Sequence, residues 1–87
     1  MELNDLFEQA VASSKTLPEK PGNADLLKLY ACYKQSTVGD VNKEAPANPF
    51  DFVAKAKYKA WEGLKGSPKQ AAMQDYINLV TKLKADT

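Results

Sequence analysis

The chain has 87 residues, a formal net charge of +1, and hydrophobic residues at 44% of its composition. This length predicts a single domain over residues 1–87 with a small core, and the hydrophobic share excludes an intrinsically disordered chain. A general nucleic-acid binder is usually far more basic, so nucleic acid is not expected as a partner.

Histidine is absent and Cys32 is the single cysteine. The Ser-His and Cys-His nucleophile systems, a zinc cluster and an internal disulfide are therefore excluded. The four glycines lack the spacing of a phosphate-binding loop. The acidic start, Met1–Asp5, does not resemble a signal peptide, and no apolar run approaches the ~18 residues of a membrane span. We expect a cytoplasmic binding protein without catalysis, cofactor, metal or stable membrane insertion.

The first predicted element is an amphipathic helix that fades near residues 13–15. Its apolar residues recur at i, i+3, i+4, i+7 and i+8, and they are Leu3, Leu6, Phe7, Ala10 and Val11. Residues 17–22 contain two prolines and predict a loop.

The second predicted helix begins with Asn23 as its N-cap and runs to about Thr37. Its pattern consists of Leu26, Leu27, Leu29, Tyr30 and Tyr33. The connection that follows, residues 38–48, is long for a tight helical hairpin, so the helices it joins need not be antiparallel neighbours.

The third predicted helix begins at Asn48-Pro49 or at Asp51 and ends at Gly66. Its helically spaced apolar residues are Phe52, Val53, Ala56, Ala60, Trp61 and Leu64. Ser67-Pro68 starts a fourth helix, whose apolar positions are Ala72, Met73, Tyr76, Ile77, Val80 and Leu83. No segment has the pattern of a strand, so the chain is predicted to be an all-α four-helix domain.

Three residues of the second helix suggest a ligand site. Tyr30, Tyr33 and Lys34 are related by i, i+3 and i+4, which places them on one helix face. Two aromatic planes and a cation suit a flat base joined to phosphate. On spacing alone, the alternative is two core tyrosines with their hydroxyls at the edge and a surface lysine. The lysines between residues 55 and 69 are likewise open to two interpretations, a solvated helix face or a site for a small anion.

The segment from Tyr30 to Asp40 closely resembles the signature of the acyl-CoA-binding protein family: Tyr, two variable residues, Tyr-Lys-Gln, a small residue, Thr, a small apolar residue, Gly-Asp. Residues 55–61 are similar to the family's Lys-x-Lys-aromatic-x-x-Trp stretch, and residues 72–77 to its fourth-helix motif. The resemblance extends from Phe7 to about Leu83.

This resemblance implies an up-down-down-up four-helix bundle that binds medium- and long-chain acyl-CoA with high affinity. It would act as a monomeric carrier and pool former that delivers acyl-CoA to enzymes. In the family pattern, Tyr33 stacks on the adenine, Tyr30 and Lys34 contact the phosphorylated ribose, and Lys57 contacts phosphate. Tyr76 closes the nucleotide site, and Lys15 matches a ligand-contacting lysine more weakly. The candidates for the acyl groove are Phe7, Ala10, Leu26 and Leu27.

Two departures from the family pattern are visible. Val53 stands where a lysine is common, and residues 43–50 are one residue longer than usual. The sequence leaves three other interpretations: a helical protein-interaction module without a small-molecule ligand, an enzyme acting on acyl-CoA, and a nucleic-acid binder. The enzyme lacks histidine and an evident nucleophile-base pair, and the near-zero net charge opposes the nucleic-acid binder.

Overall fold

The computed structural model describes residues 2–85, and this part of the chain contains four α-helices and no strand. The helices are α1 (Leu3–Ser14), α2 (Asn23–Thr37), α3 (Phe52–Glu62) and α4 (Lys69–Ala85). The all-α prediction is confirmed. Within residues 2–85, every helix is too short or too polar to cross a bilayer.

Contacts at the helix ends give the topology. Helices α2 and α3 run in the same direction, because their first turns share a groove and the Trp61 indole N–H, near the end of α3, donates to the Gly39 carbonyl just after α2 (2.8 Å). Helix α4 runs opposite to α2, because Gln35 near the end of α2 reaches the Ser67 carbonyl just before α4 (2.9 Å). Helix α1 is also antiparallel to α2, since Phe7 packs on Tyr33. The arrangement is up-down-down-up, as the family resemblance implied.

The hydrophobic core is formed by α1, α2 and α4. Its buried residues are Phe7, Ala10, Leu29, Cys32, Tyr76 and Val80. In the described part of the chain, α3 packs on α2 alone. Trp61, which is 2% exposed, is its one fully buried residue. Helix α3 therefore lies at the side of the three-helix core and leaves much of its own surface open to solvent.

Two helix boundaries differ slightly from the sequence predictions. Gly22, not Asn23, occupies the N-cap position of α2, and no side chain caps that helix. The Asp51 carboxylate caps α3 by accepting from the Ala54 N–H (3.0 Å), which selects the second of the two predicted starts. Helix α3 ends at Glu62 rather than Gly66, because the chain tightens into a turn after residue 62 and passes through Gly66 with a positive φ of 92°.

A junction of hydrogen bonds ties the long connection to the turn between α3 and α4. The fully buried Gln35 amide donates to Asp40 Oδ1 (2.8 Å) as well as to the Ser67 carbonyl. The Gly66 N–H donates to the same Asp40 oxygen (2.8 Å). We call the set of Gln35, Gly39, Asp40, Trp61, Gly66 and Ser67 the junction. It holds the C-terminal ends of α2 and α3 together. By fixing the two helices relative to each other, it also fixes the spacing between their first turns.

Candidate functional site

An aromatic cluster surrounds Tyr33 on α2. Its ring is stacked on Phe7 of α1, with ring centroids 6.1 Å apart and planes inclined at 24°. Tyr76 of α4 meets Phe7 edge to face at 5.2 Å and lies 6.5 Å from Tyr33. Phe7 and Tyr76 are buried, whereas Tyr33 keeps 41% of its surface exposed. The cluster therefore supports the Tyr33 ring from within and leaves part of it free for a planar ligand.

The Tyr76 hydroxyl anchors the floor of this region. It donates to the Ser14 hydroxyl (3.0 Å), which in turn donates to the Val11 carbonyl (2.7 Å). Tyr76, Ser14, Val11, Tyr30 and Tyr33 all line one open cavity of about 330 Å³ between α1 and α2. The other residues of its lining are Lys15, Pro21, Leu26 and Leu29. A chain of hydrogen bonds thus fixes the base of a cavity whose wall carries the exposed tyrosine.

Two lysines from different helices approach the Tyr30 ring. The Lys34 ammonium on α2 lies 5.9 Å from the ring centroid, and the Lys57 ammonium on α3 lies 5.3 Å from it. Lys34 also lies 5.7 Å from the Trp61 indole centroid. The rings attract these cations through their negative faces. Positive charge from α2 and α3 is therefore concentrated around Tyr30, beside the Tyr33 cavity.

Lys43, in the connection between α2 and α3, was not among the candidate residues predicted from the sequence. Its ammonium lies 6.0 Å from the Trp61 centroid, so it approaches the same indole as Lys34. No local pattern would have revealed this, because the connection has no helical or strand periodicity. Folding of the connection over α3 adds a third positive charge near the site.

An apolar groove lies between the first turns of α2 and α3. It has a volume of about 320 Å³, and its lining is Asn23, Leu26, Leu27, Phe52, Val53, Ala56 and Lys57. Leu26 also lines the Tyr33 cavity, and Lys57 also approaches Tyr30. The groove is therefore continuous with the aromatic and cationic surfaces through shared residues.

The ten residues singled out from the sequence are divided between surface and core. The six residues predicted to contact the nucleotide part of the ligand lie around one region of α2. They are Lys15, Tyr30, Tyr33, Lys34, Lys57 and Tyr76. Of the groove candidates, Leu26 and Leu27 line the groove. Phe7 and Ala10 are instead buried in the core, because α1 turns that stripe towards α4. Phe52, Val53 and Ala56 complete the groove, although the sequence indicated them only as helically spaced apolar residues of the third helix.

Other clusters lie away from this site. A polar depression of about 590 Å³ between the connection and α3 contains none of the predicted residues. Cys32 faces the α4 side of α2, where burial, and then the negative charge of Asp75, raise the pKa of its thiol. Across residues 2–85, no group of three or more histidine, cysteine, aspartate or glutamate side chains is arranged to hold a metal ion.

Comparisons of the sequence and of the overall fold with known proteins find one family. The family model described as acyl CoA binding protein matches residues 4–80. An acyl-CoA-binding protein of Saccharomyces cerevisiae is 45% identical over 83 residues, which cover 95% of this chain and 94% of that protein. The crystal structure of acyl-CoA-binding protein 2 of Oryza sativa superposes with a TM-score of 0.91 at 39% identity, covering 98% of this chain and 93% of that one.

A further relative is larger than this chain. The human enoyl-CoA delta isomerase 2 is 47% identical over 77 residues, which cover 88% of this chain but only 19% of that protein. The similarity is thus confined to one part of the human protein.

Proposed function

The chain belongs to the acyl-CoA-binding protein family, and we propose that Tyr33, the lysine pair around Tyr30 and the adjoining groove form its acyl-CoA site. The protein binds acyl-CoA thioesters and carries them, and it is not an enzyme. The observation that supports the site is the meeting of an exposed stacking surface, two ammonium groups and an apolar groove on α2 and α3.

The nucleotide end of the ligand is assigned to the polar half of this surface. The adenine stacks on the exposed part of Tyr33, a contact worth about 1–3 kcal/mol. Lys34 and Lys57 bind the phosphorylated ribose from two sides, with Tyr30 between them. Lysine suits this role because it acts as a point charge for phosphate. Lys15 stands at the rim of the same cavity, and Tyr76 supports its floor.

The acyl chain is assigned to the groove at the first turns of α2 and α3. Leu26 and Leu27 form one wall, and Phe52, Val53 and Ala56 form the other. Each CH₂ that leaves water there contributes up to ~0.8 kcal/mol, offset by the entropy lost on ordering chain and side chains. The groove is open because the core of so small a domain leaves no room to enclose the chain.

The physiological setting follows from this chemistry. We propose a cytoplasmic monomer that accepts medium- and long-chain acyl-CoA, forms a bound pool of it and passes it to enzymes that use these thioesters. A single cysteine cannot form an internal disulfide, which is consistent with a reducing compartment.

Calorimetric titration across acetyl-, octanoyl- and palmitoyl-CoA tests the assignment. Affinity should rise steeply with chain length and level off once the groove is filled. Free CoA, which retains stacking and charge but lacks the apolar term, should bind much more weakly, and free palmitate should bind poorly. Equal affinities across the series would mean that the chain stays in solvent, and the groove assignment would then be abandoned.

A further inference from the structure

Three large apolar side chains protrude into solvent within four consecutive residues. Phe50 is 81% exposed, Phe52 73% and Val53 65%. Together they cover the turn before α3 and its first turn. Contiguous apolar groups of this size on a small protein commonly mark an interaction surface. The groove accounts for Phe52 and Val53 but not for Phe50, which lies outside its lining.

The turn that presents Phe50 is held by hydrogen bonds. The Phe50 N–H donates to the Asn48 side chain (2.9 Å), and the Asp51 N–H donates to the Asn48 carbonyl (3.2 Å). The Lys55 ammonium donates to the Pro49 carbonyl (3.4 Å). Asp51 itself is engaged in capping α3. Phe50 is therefore displayed in a fixed position rather than on a loose loop.

Positive charge flanks the three apolar side chains. Helix α3 carries three lysines, Lys55, Lys57 and Lys59, against one acid, Glu62 at its far end. Phe52, Lys55 and Lys59 are spaced i, i+3 and i+7, so they lie on one helix face. Protruding phenylalanines edged by lysines fit a surface that is apolar inside and anionic outside, which is the chemistry of an anionic lipid bilayer.

We propose that Phe50, Phe52 and Val53, with Lys55 and Lys59, form a docking patch through which the protein binds peripherally to anionic membranes. The apolar side chains enter the boundary between headgroups and acyl chains, and the lysines contact the headgroups. Docking does not require acyl-CoA. It places the open groove, of which Phe52 and Val53 are one wall, against the bilayer surface.

Vesicle sedimentation without acyl-CoA tests the proposal. Wild-type protein should pellet with phosphatidylcholine vesicles that contain phosphatidylserine and much less with phosphatidylcholine alone. Each lysine at an anionic surface contributes about fivefold to binding. Raising the salt should release the protein, because the Debye length falls from about 10 Å at 0.1 M to about 3 Å at 1 M. Equal binding to both vesicle types would overturn the role of the lysines in selecting anionic membranes. Absence of binding to either would overturn membrane docking and point to a protein as the partner of the patch.

Two variants and two matched controls separate the patch from the rest of the surface. Phe50→Ser should weaken vesicle binding by about tenfold through lost apolar burial, and Lys59→Glu by at least about fivefold. Leu6→Ser, an exposed apolar position on α1, and Lys82→Glu, the same charge change on α4, should leave binding close to wild type. A control that weakens binding as much as its partner variant would overturn the assignment to this patch.

Palmitoyl-CoA binding is measured on the same variants, so that a failure of docking is distinguishable from a failure of the ligand site. Phe50 and Lys59 line neither the groove nor the Tyr33 cavity, so both variants should retain wild-type palmitoyl-CoA affinity. Loss of that affinity in Phe50→Ser would assign Phe50 to the ligand site and overturn the docking role.

Tryptophan fluorescence tests directly whether the side chain at position 50 enters the bilayer, and it does not depend on a loss of vesicle binding. Phe50→Trp should shift its emission to the blue on anionic vesicles and be quenched by brominated acyl chains, while the buried Trp61 serves as an internal reference. Absence of quenching in protein that pellets with the vesicles would overturn the placement of Phe50 in the bilayer.

Discussion

Tyr33 and Gln35 are two residues apart on α2, yet Tyr33 keeps 41% of its surface exposed and Gln35 is fully buried. The first belongs to what we propose as the ligand face, the set of Tyr30, Tyr33, Lys34 and Lys57. The second belongs to the junction, where it bonds to Asp40 and Ser67. One continuous segment, Tyr30–Asp40, thus serves two separate physical purposes. Its first half presents the side chains of the proposed ligand site, and its second half fixes the ends of the helices that carry them.

The comparison predicts that changes at the junction lower stability and changes at the ligand face lower affinity. Trp61→Ala should have the largest effect, because it removes the one fully buried side chain of α3. We expect a loss of about 3–5 kcal/mol in the free energy of unfolding, measured by urea denaturation. Trp61→Phe is the matched control: it keeps most of the packing but leaves the Gly39 carbonyl without its donor, for a smaller loss of about 1–3 kcal/mol. Near-wild-type stability in Trp61→Ala would mean that α3 is held mainly by other contacts.

Lys34→Ala and Lys57→Ala should act on affinity instead. Each removes a charge-assisted contact worth about 1.5–3 kcal/mol. The double variant should also show a flatter salt dependence of palmitoyl-CoA binding by calorimetry. Lys59→Ala, an exposed lysine of the same helix, is the control and should bind as wild type. Unchanged affinity and salt dependence in the double variant would refute convergence of the two lysines on phosphate.

Tyr33→Ala should weaken palmitoyl-CoA binding by about 1–3 kcal/mol through lost stacking. The fold should survive, because Phe7 and Tyr76 retain their own edge-to-face contact. Tyr33→Phe keeps the ring and should retain most of the affinity, which distinguishes stacking from a role of the hydroxyl. If Tyr33→Ala binds as wild type, the adenine lies elsewhere.

The smallest effect is expected at Asp40, whose contribution to the stability of the junction should depend on pH. The Gly66 N–H, and then the Gln35 amide, hold the pKa of Asp40 below its ordinary value of 3.8. A carboxyl with a lowered folded-state pKa contributes stability above pH 3.8 and loses it as pH falls through the folded-state value. The stability difference between wild type and Asp40→Asn should therefore narrow in acid. Urea midpoints over a pH series measure it, and a difference that is constant with pH would argue against this linkage.

The four helices and the common face of Tyr30, Tyr33 and Lys34 on α2 were predictable because both depend on local spacing. Apolar residues at i, i+3 and i+4 indicate a helix, and Tyr30, Tyr33 and Lys34 share a face by the same rule. The topology came from family resemblance, since spacing alone does not order helices in space.

The remaining parts of the site depend on which helices touch. Phe52 and Val53 have helical spacing, but α3 packs only on α2 in the described residues, so both side chains stay exposed. Phe7 and Ala10 face α4 and enter the core. The approach of Lys43 to Trp61 depends on how an irregular connection folds. None of these outcomes is encoded in a local pattern.

The position of Cys32 has a chemical consequence for the bound thioester. Thioesters exchange their acyl group with thiolates, while a protonated thiol is a poor nucleophile. Cys32 is the single cysteine of the sequence. It lies buried on the side of α2 that faces α4, where burial and then the negative charge of Asp75 raise the pKa of its thiol and so disfavour the thiolate. The one thiol of the sequence is therefore both buried and poorly ionised, which disfavours transfer of the acyl group from a bound thioester to the protein.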